Sequence, residues 1–176
     1  MLEKVRKAFA TPPPPMPTVN KSIGEEPTLL YAGGGSYIKG FTMLLSAIAK
    51  LLKRSKAKIY VIHGDRISPR ERSLLEKMSE RSNKRLIYLS RIIHREYLKL
   101  HEDAWGLLFP SISEEPLPYA IVESLLTGTI PIASKAGGVM EIVDNTPAEK
   151  FLFTPGDLDE FISKIEMLIS LSKKVF

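Results

Sequence analysis

The fold is decided by the stretch Ser111-Ile-Ser-Glu-Glu-Pro-Leu-Pro-Tyr-Ala-Ile-Val-Glu-Ser-Leu-Leu-Thr-Gly-Thr-Ile-Pro-Ile-Ala-Ser134. An apolar run, Trp105 to Phe109, precedes it and predicts a buried strand. A proline-rich acidic turn follows, then an amphipathic helix from about Tyr119, then a second apolar run, Ile130 to Ala133. Strand, turn, helix and strand in this order are typical of a parallel sheet, in which ligands bind beyond the carboxyl ends of the strands.

The same alternation extends along the chain on both sides of this stretch. Further strands are expected at 28–32, 58–63, 85–89 and 151–153, and helices at 41–52, 69–81, 94–100, 139–143 and from residue 158 onward. We therefore predict an α/β fold: a Rossmann-like parallel sheet of about six strands with helices on both faces. Residues 1–27 are expected to form a proline-rich lead-in or linker, with Pro12 to Pro15 extended, and residues 28–176 to form the domain.

The composition limits the classes of function. The 176 residues carry a net charge of +5, which suits anionic small molecules, nucleic acid or an acidic membrane surface without choosing among them. The absence of cysteine excludes disulfides, thiol nucleophiles and thiolate metal sites. No apolar run approaches the roughly 20 residues that span a bilayer. We expect a cytoplasmic protein and leave association with a membrane surface open.

Glu115 and Glu123 are the most informative polar residues. Pro116 and Pro118 prevent one continuous helix from containing both glutamates, so Glu115 is expected in the turn and Glu123 in the helix. The free amides of the first helical turn, at residues 119–121, would lie between them and suit an anion. The spacing alone is equally compatible with two carboxylates that grip hydroxyl groups and with a dipole-stabilising turn residue beside a solvated helix residue.

A glycine-rich turn, Gly33-Gly34-Gly35, follows the first predicted strand, and Lys39 lies just before the first helix. Bare amides and a lysine suit a phosphate, although glycine-rich turns are common and a tight turn that needs only positive φ is the alternative. The three histidines lack metal-ligand spacing, and we assign them no catalytic role and no metal. Basic residues are mixed with acidic ones, which argues against nucleic acid.

These motifs resemble the C-terminal, donor-binding domain of the retaining GT-B glycosyltransferases of group 1 (family 4 type). Glu115-Pro-Leu-Pro-Tyr-Ala-Ile-Val-Glu123 resembles the two glutamates that this family separates by seven residues. Tyr31-Ala-Gly-Gly-Gly-Ser-Tyr-Ile-Lys-Gly40 resembles its glycine and lysine loop, and Gly137-Gly138-Val-Met-Glu-Ile-Val143 its later glycine pair. The resemblance covers about residues 27–172 and implies a domain that forms half of a GT-B enzyme.

The resemblance implies a role for each matching residue. Glu115 and Lys39 would be the catalytic residues, with Glu115 on the hydroxyls of the donor sugar and Lys39 on the diphosphate. Glu123 would bind the ribose, and the backbone of Ser90 and Arg91 would meet the base. The remaining donor-binding positions are expected at Gly33, Gly34, Leu117, Pro118, Tyr119, Ala120 and Ile121.

Two positions depart from the family pattern. Gly34 stands where an arginine is usual, so a bidentate clamp on phosphate is missing there. Pro118 stands where a glycine is usual, so one donor amide is missing and the turn is stiffer.

The resemblance also implies a second domain. A GT-B enzyme has an N-terminal acceptor domain, expected here in the same chain or in a separate subunit, so this domain alone is expected to be inactive. The substrate would be a GDP- or UDP-hexose (mannose- or glucose-type), with no cofactor, used for polysaccharide or glycolipid synthesis, and the acceptor could lie at a membrane surface. A non-catalytic nucleotide-sugar-binding or partner domain, and a sugar-nucleotide epimerase on the same fold, remain the alternatives.

Overall fold

A computed structural model of the chain describes residues 20–64 and 66–171. The expected extended segment Pro12 to Pro15 lies outside them. The described part contains five strands, six α-helices and two 3₁₀ turns, at Tyr37–Lys39 and Glu149–Phe151. The strands and helices are β1 (Thr28–Tyr31), α1 (Phe41–Arg54), β2 (Lys58–Ile62), α2 (Pro69–Glu80), β3 (Leu86–Leu89), α3 (His94–Asp103), β4 (Gly106–Phe109), α4 (Tyr119–Leu126), β5 (Ile130–Ala133), α5 (Val139–Val143) and α6 (Leu158–Ser170).

All five strands are parallel, in the order β3-β2-β1-β4-β5. Alternate residues of each strand face opposite sides of the sheet, so neighbours along β1 enter different cores. Leu29 and Tyr31 pack with α1, α2 and α6, whereas Leu30 packs with α3, α4 and α5. The predicted Rossmann-like α/β sheet with helices on both faces is confirmed.

The expected sixth strand at 151–153 is reduced to one residue. Phe153 alone pairs with the sheet, through a parallel bridge to Ser134, while Phe151 ends a 3₁₀ turn. The physical reason is the turn that follows: Gly156 has φ +83°, and Asp157 caps α6 by accepting a hydrogen bond from the Glu160 amide at 2.8 Å. The chain leaves the sheet edge before a ladder can form.

Residues 20–27 pack against the domain. The Lys21 ammonium donates to the His101 carbonyl at 2.8 Å, to the Ala104 carbonyl and to Thr129 Oγ1 at 3.0 Å. The Ser22 amide donates to the Glu102 carbonyl at 2.9 Å. This segment is therefore held at the amino ends of β4 and β5, away from the edge of the sheet that carries the polar loops.

Candidate functional site

The strand order reverses direction at β1, which pairs with β2 on one side and β4 on the other. The loops that leave β1 and β4 then run to opposite faces of the sheet and open a crevice between them. The first loop carries the glycine-rich turn and Lys39, and the second is the acidic turn. The two predicted motifs therefore meet at the place where this class of sheet binds ligands.

An ion pair joins the two loops. Lys39 Nζ lies 2.5 Å from Glu115 Oε2, and the two side chains are 29% and 22% exposed. Ser111 Oγ donates to Glu115 Oε1 at 2.8 Å, and the Ile112 amide donates to the Ile38 carbonyl at 2.9 Å. Glu115 is thus held by one cation and one hydroxyl at the rim of the crevice, and Lys39 balances its charge.

Gly137 and Gly138 pack directly against the backbone of the acidic turn. The Gly138 amide donates to the Glu115 carbonyl at 2.8 Å, and the Gly137 amide donates to Glu114 Oε2 at 2.7 Å. A Cβ atom on Gly137 would lie 2.4 Å from the Glu115 carbonyl oxygen, and one on Gly138 would lie 2.0 Å from that of Pro116. The glycine pair is therefore explained by close packing against the backbone of the turn that presents Glu115.

Tyr31 fixes the glycine-rich turn from below. Its hydroxyl donates to the Gly34 carbonyl at 2.6 Å and lies 3.3 Å from the Lys39 carbonyl. A Cβ on Gly33 would lie 2.6 Å from that hydroxyl, and Gly34 has φ +76°, so both positions favour glycine. Burial, and then the Glu115 charge, raise the pKa of Tyr31, which keeps it a neutral donor.

Glu123 lies on the inward side of α4 and is paired with a histidine. His94 Nε2 is 2.7 Å from Glu123 Oε1, and the Glu123 side chain is 18% exposed against 56% for His94. Tyr97 lies one turn further along α3, and its buried hydroxyl has no hydrogen-bond partner within the described part of the chain. Burial, and then the Glu123 charge, raise the pKa of Tyr97. This corner offers a carboxylate and a phenol to a polar ligand.

Two cavities lie side by side along the carboxyl edge of the sheet. The Glu123 cavity, about 300 Å³, is lined by Ala32, Ile62, Ile92, His94, Tyr97, Ala120 and Glu123. The glycine cavity, about 340 Å³, is lined by Gly33, Gly34, Gly35, Ser36, Ile38, Lys39, His63, Gly64, Arg66 and Arg91. The two cavities adjoin at the ends of three strands. After β1, at the end of β2 and after β3, one residue lines the Glu123 cavity (32, 62 and 92) and its neighbour in sequence lines the glycine cavity (33, 63 and 91). One cavity is mostly apolar with a carboxylate, and its neighbour is cationic with bare amides.

The start of α4 differs in part from the expectation. The Ile121 amide is not free, because it donates to the Pro118 carbonyl at 3.0 Å, and the Ile121 side chain is fully buried. Tyr119 and Ala120, the first two helical residues, have no acceptor for their amides within residues 20–64 and 66–171. Pro118 is buried at the N-cap, and Leu117 is 53% exposed on the turn. Two helix amides, rather than three, remain for an anion.

Sequence reasoning missed three contributors to this site. His94, which was assigned no role, contacts Glu123. Tyr31, which was quoted within the loop motif but assigned no role, orders the glycine turn. Arg66 lines the glycine cavity beside the expected Arg91. Ser90, expected near the base, is exposed at the end of β3. The signal for all three was positional, since each lies within five residues of the carboxyl end of a strand.

Comparisons with known proteins identify the family to which this fold belongs. The family model described as Glycosyl transferases group 1 matches residues 16–175. An uncharacterized glycosyltransferase of Methanocaldococcus jannaschii is 28% identical over 126 residues, covering 70% of this chain and 32% of its own.

Two solved structures give the same result. Sucrose-phosphate synthase from Thermosynechococcus elongatus superposes with a TM-score of 0.65 at 27% identity, over 83% of this chain and 37% of that one. HepE from Anabaena, solved in complex with UDP-glucose, gives 0.66 at 25%, over 83% and 40%. The chain thus spans between about a third and two fifths of the length of these relatives. Among the described helices, apolar stretches are too short to cross a bilayer.

Proposed function

This chain belongs to the glycosyl transferases of group 1, and from that premise we propose that it is the donor-binding half of a two-domain GT-B enzyme. In this proposal it binds a nucleoside-diphosphate hexose, of mannose or glucose type, and takes part in transfer of the hexose to an acceptor with retention of configuration.

The observation that carries the proposal is the pairing of two adjacent cavities of opposite character. The Glu123 cavity offers apolar walls for a base and a carboxylate for the two hydroxyls of a ribose. The glycine cavity offers bare amides and cations for phosphates. A nucleoside diphosphate has the same sequence of groups, so a single molecule that spans both cavities satisfies each of them.

Glu115 and Lys39 are the proposed catalytic residues. When a donor binds, its diphosphate competes with Glu115 for the Lys39 ammonium, which then stabilises the negative charge that develops on the leaving diphosphate. Glu115, still held by Ser111 Oγ, accepts hydrogen bonds from the hydroxyls of the sugar and orients the reacting carbon. The ion pair seen between the two loops is in this view the resting arrangement.

The amides of Tyr119 and Ala120 are proposed to hold the phosphate from the other side of the crevice. They lie at the positive end of the α4 dipole, which favours an anion. Pro118 removes one donor but fixes the turn in which Leu117 is exposed, so the missing amide is offset by a more rigid loop.

The complete enzyme needs an acceptor domain, supplied in the same chain or by another subunit. We propose that it works in the cytoplasm, without a resident metal or cofactor, in polysaccharide or glycolipid synthesis, with an acceptor that can lie at a membrane surface. HepE, one of the similar proteins, was solved in complex with UDP-glucose, and this supports a nucleotide-hexose donor.

The test is the affinity of this chain for UDP and GDP, measured by NMR titration. Glu123→Gln removes a charge-assisted hydrogen bond to the ribose and is expected to weaken binding about tenfold or more. Glu141→Gln, on the exposed side of α5, is the matched control and should bind normally. Equal affinity for the two variants, or no binding by the unaltered chain at millimolar nucleotide, would rule out the proposed donor site.

A non-catalytic nucleotide-sugar-binding domain is the second candidate, because Gly34 removes a phosphate clamp from the site. Turnover decides between the two. Sugar transfer by the full two-domain protein that is lost in Glu115→Ala supports the enzyme, whereas normal donor binding without transfer supports the binding domain.

A further inference from the structure

We infer that Arg66, in the loop between β2 and α2, supplies the guanidinium that contacts the diphosphate in the glycine cavity. This inference rests on the proposed function and adds a residue that no motif of the sequence singles out. Arg66 lines the cavity together with Gly34 and Lys39. The loop after β2 therefore supplies an arginine to the cavity, although position 34, on the loop after β1, is a glycine.

Close packing between two loops brings Arg66 to this position. A Cβ atom on Gly35 would lie 2.2 Å from the Arg66 carbonyl oxygen and 2.1 Å from Ile67 Cγ2. Any other residue at position 35 would push the loop after β2 away from the glycine-rich turn. Gly35 thus allows the backbone of Arg66 to lie directly against the loop that carries the phosphate-binding amides.

Position 34 itself is unsuited to an arginine in this arrangement. Its φ of +76° lies in the left-handed region, which strains any residue that has a side chain. The Tyr31 hydroxyl holds the Gly34 carbonyl at 2.6 Å and stabilises that conformation. The same cavity can be given its guanidinium from the neighbouring loop without this strain.

Lys39, the lysine of the cavity, is already paired with Glu115 at 2.5 Å. Arg66 is exposed, and its guanidinium forms no ion pair within the described residues. Its charge is therefore more available to a diphosphate than that of Lys39, and its planar fork can bind two phosphate oxygens at once.

The experiment compares four forms of this chain by NMR titration: unaltered, Arg66→Ala, Arg66→Lys and Arg72→Ala. Arg72 is an exposed arginine on α2 outside the cavity lining and serves as the control. Each form is titrated with UDP, GDP, uridine and guanosine. Arg66→Ala is expected to bind the preferred diphosphate about tenfold more weakly or worse, and the matching nucleoside normally. Arg66→Lys should recover part of the loss, because it keeps the charge and loses the fork.

The outcomes separate the inference from the function beneath it. Diphosphate binding that is unchanged in Arg66→Ala overturns the role of Arg66 and leaves the donor site intact. An equal loss of nucleoside and diphosphate affinity also overturns it, because Arg66 then supports the loop rather than the phosphates. Failure of the unaltered chain to bind either diphosphate overturns the donor site and the inference together.

Discussion

His101 is expected to make this domain sensitive to acid. Its side chain is fully buried beneath α3, with Nδ1 2.9 Å from Thr129 Oγ1 and the Tyr97 ring edge-on at 4.8 Å. Burial, and then the positive charge of Lys21, lower the pKa of His101 to about 4. In the unfolded chain the pKa of His101 returns to about 6.5. Between pH 6.5 and about 4, His101 is therefore protonated in the unfolded chain and neutral in the folded domain.

The size of the effect follows from the difference in pKa. Lowering the pKa of His101 from near 6.5 to about 4 corresponds to about 3 kcal/mol of unfolding free energy, which is fully present above pH 6.5 and is lost as the pH falls toward 4. That loss is a large part of the stability of a domain of this size. The domain should therefore begin to lose stability below pH 6.5, before most of its carboxylates are protonated.

Urea denaturation at several pH values between 7 and 4 measures this directly. His101→Gln removes the titrating group, so its stability should fall less steeply below pH 6.5, whatever its absolute value at pH 7. Parallel pH profiles for the unaltered chain and His101→Gln would refute the assignment of acid sensitivity to this buried ring.

Two further substitutions test the loops of the site. Gly137→Ala should destabilise the domain by about 1–3 kcal/mol more than Gly156→Ala in urea denaturation. Both glycines have positive φ, but only a side chain at position 137 would meet the Glu115 backbone. Equal losses of stability would contradict the role of Gly137 in packing against the acidic turn. Tyr31→Phe should cost about 1 kcal/mol in the same assay and weaken UDP or GDP binding, because the Gly34 carbonyl loses its donor; unchanged binding would show that the glycine turn is ordered without it.

The sequence was sufficient for the sheet because hydrophobic periodicity reports local structure. Apolar runs such as Ile130 to Ala133 predict strands, and the helical spacing from Phe41 onward predicts a helix, whatever these elements later pack against. The element ends were less predictable: α3 continues to Asp103 rather than ending at Leu100, and the strand expected at 151–153 is one bridge. Such ends depend on contacts with distant parts of the chain.

Only those features of the site that follow from the local sequence could be predicted. The prolines between Glu115 and Glu123 require the two carboxylates to lie on different elements, and they do. The ion pair of Glu115 with Lys39 joins residues 76 positions apart, so no local pattern reveals it. The same holds for His94 beside Glu123, which needs the β3 and β4 loops to converge at one edge of the sheet.

The central claim, that one nucleoside diphosphate spans the two adjacent cavities, is tested most directly by mapping amide chemical shifts of the 176-residue chain during titration with UDP and GDP. The account predicts that the largest changes occur together at Gly33 to Gly35 and at Ala120 and Glu123. Changes at only one of the cavities, or changes centred elsewhere on the domain, would contradict it.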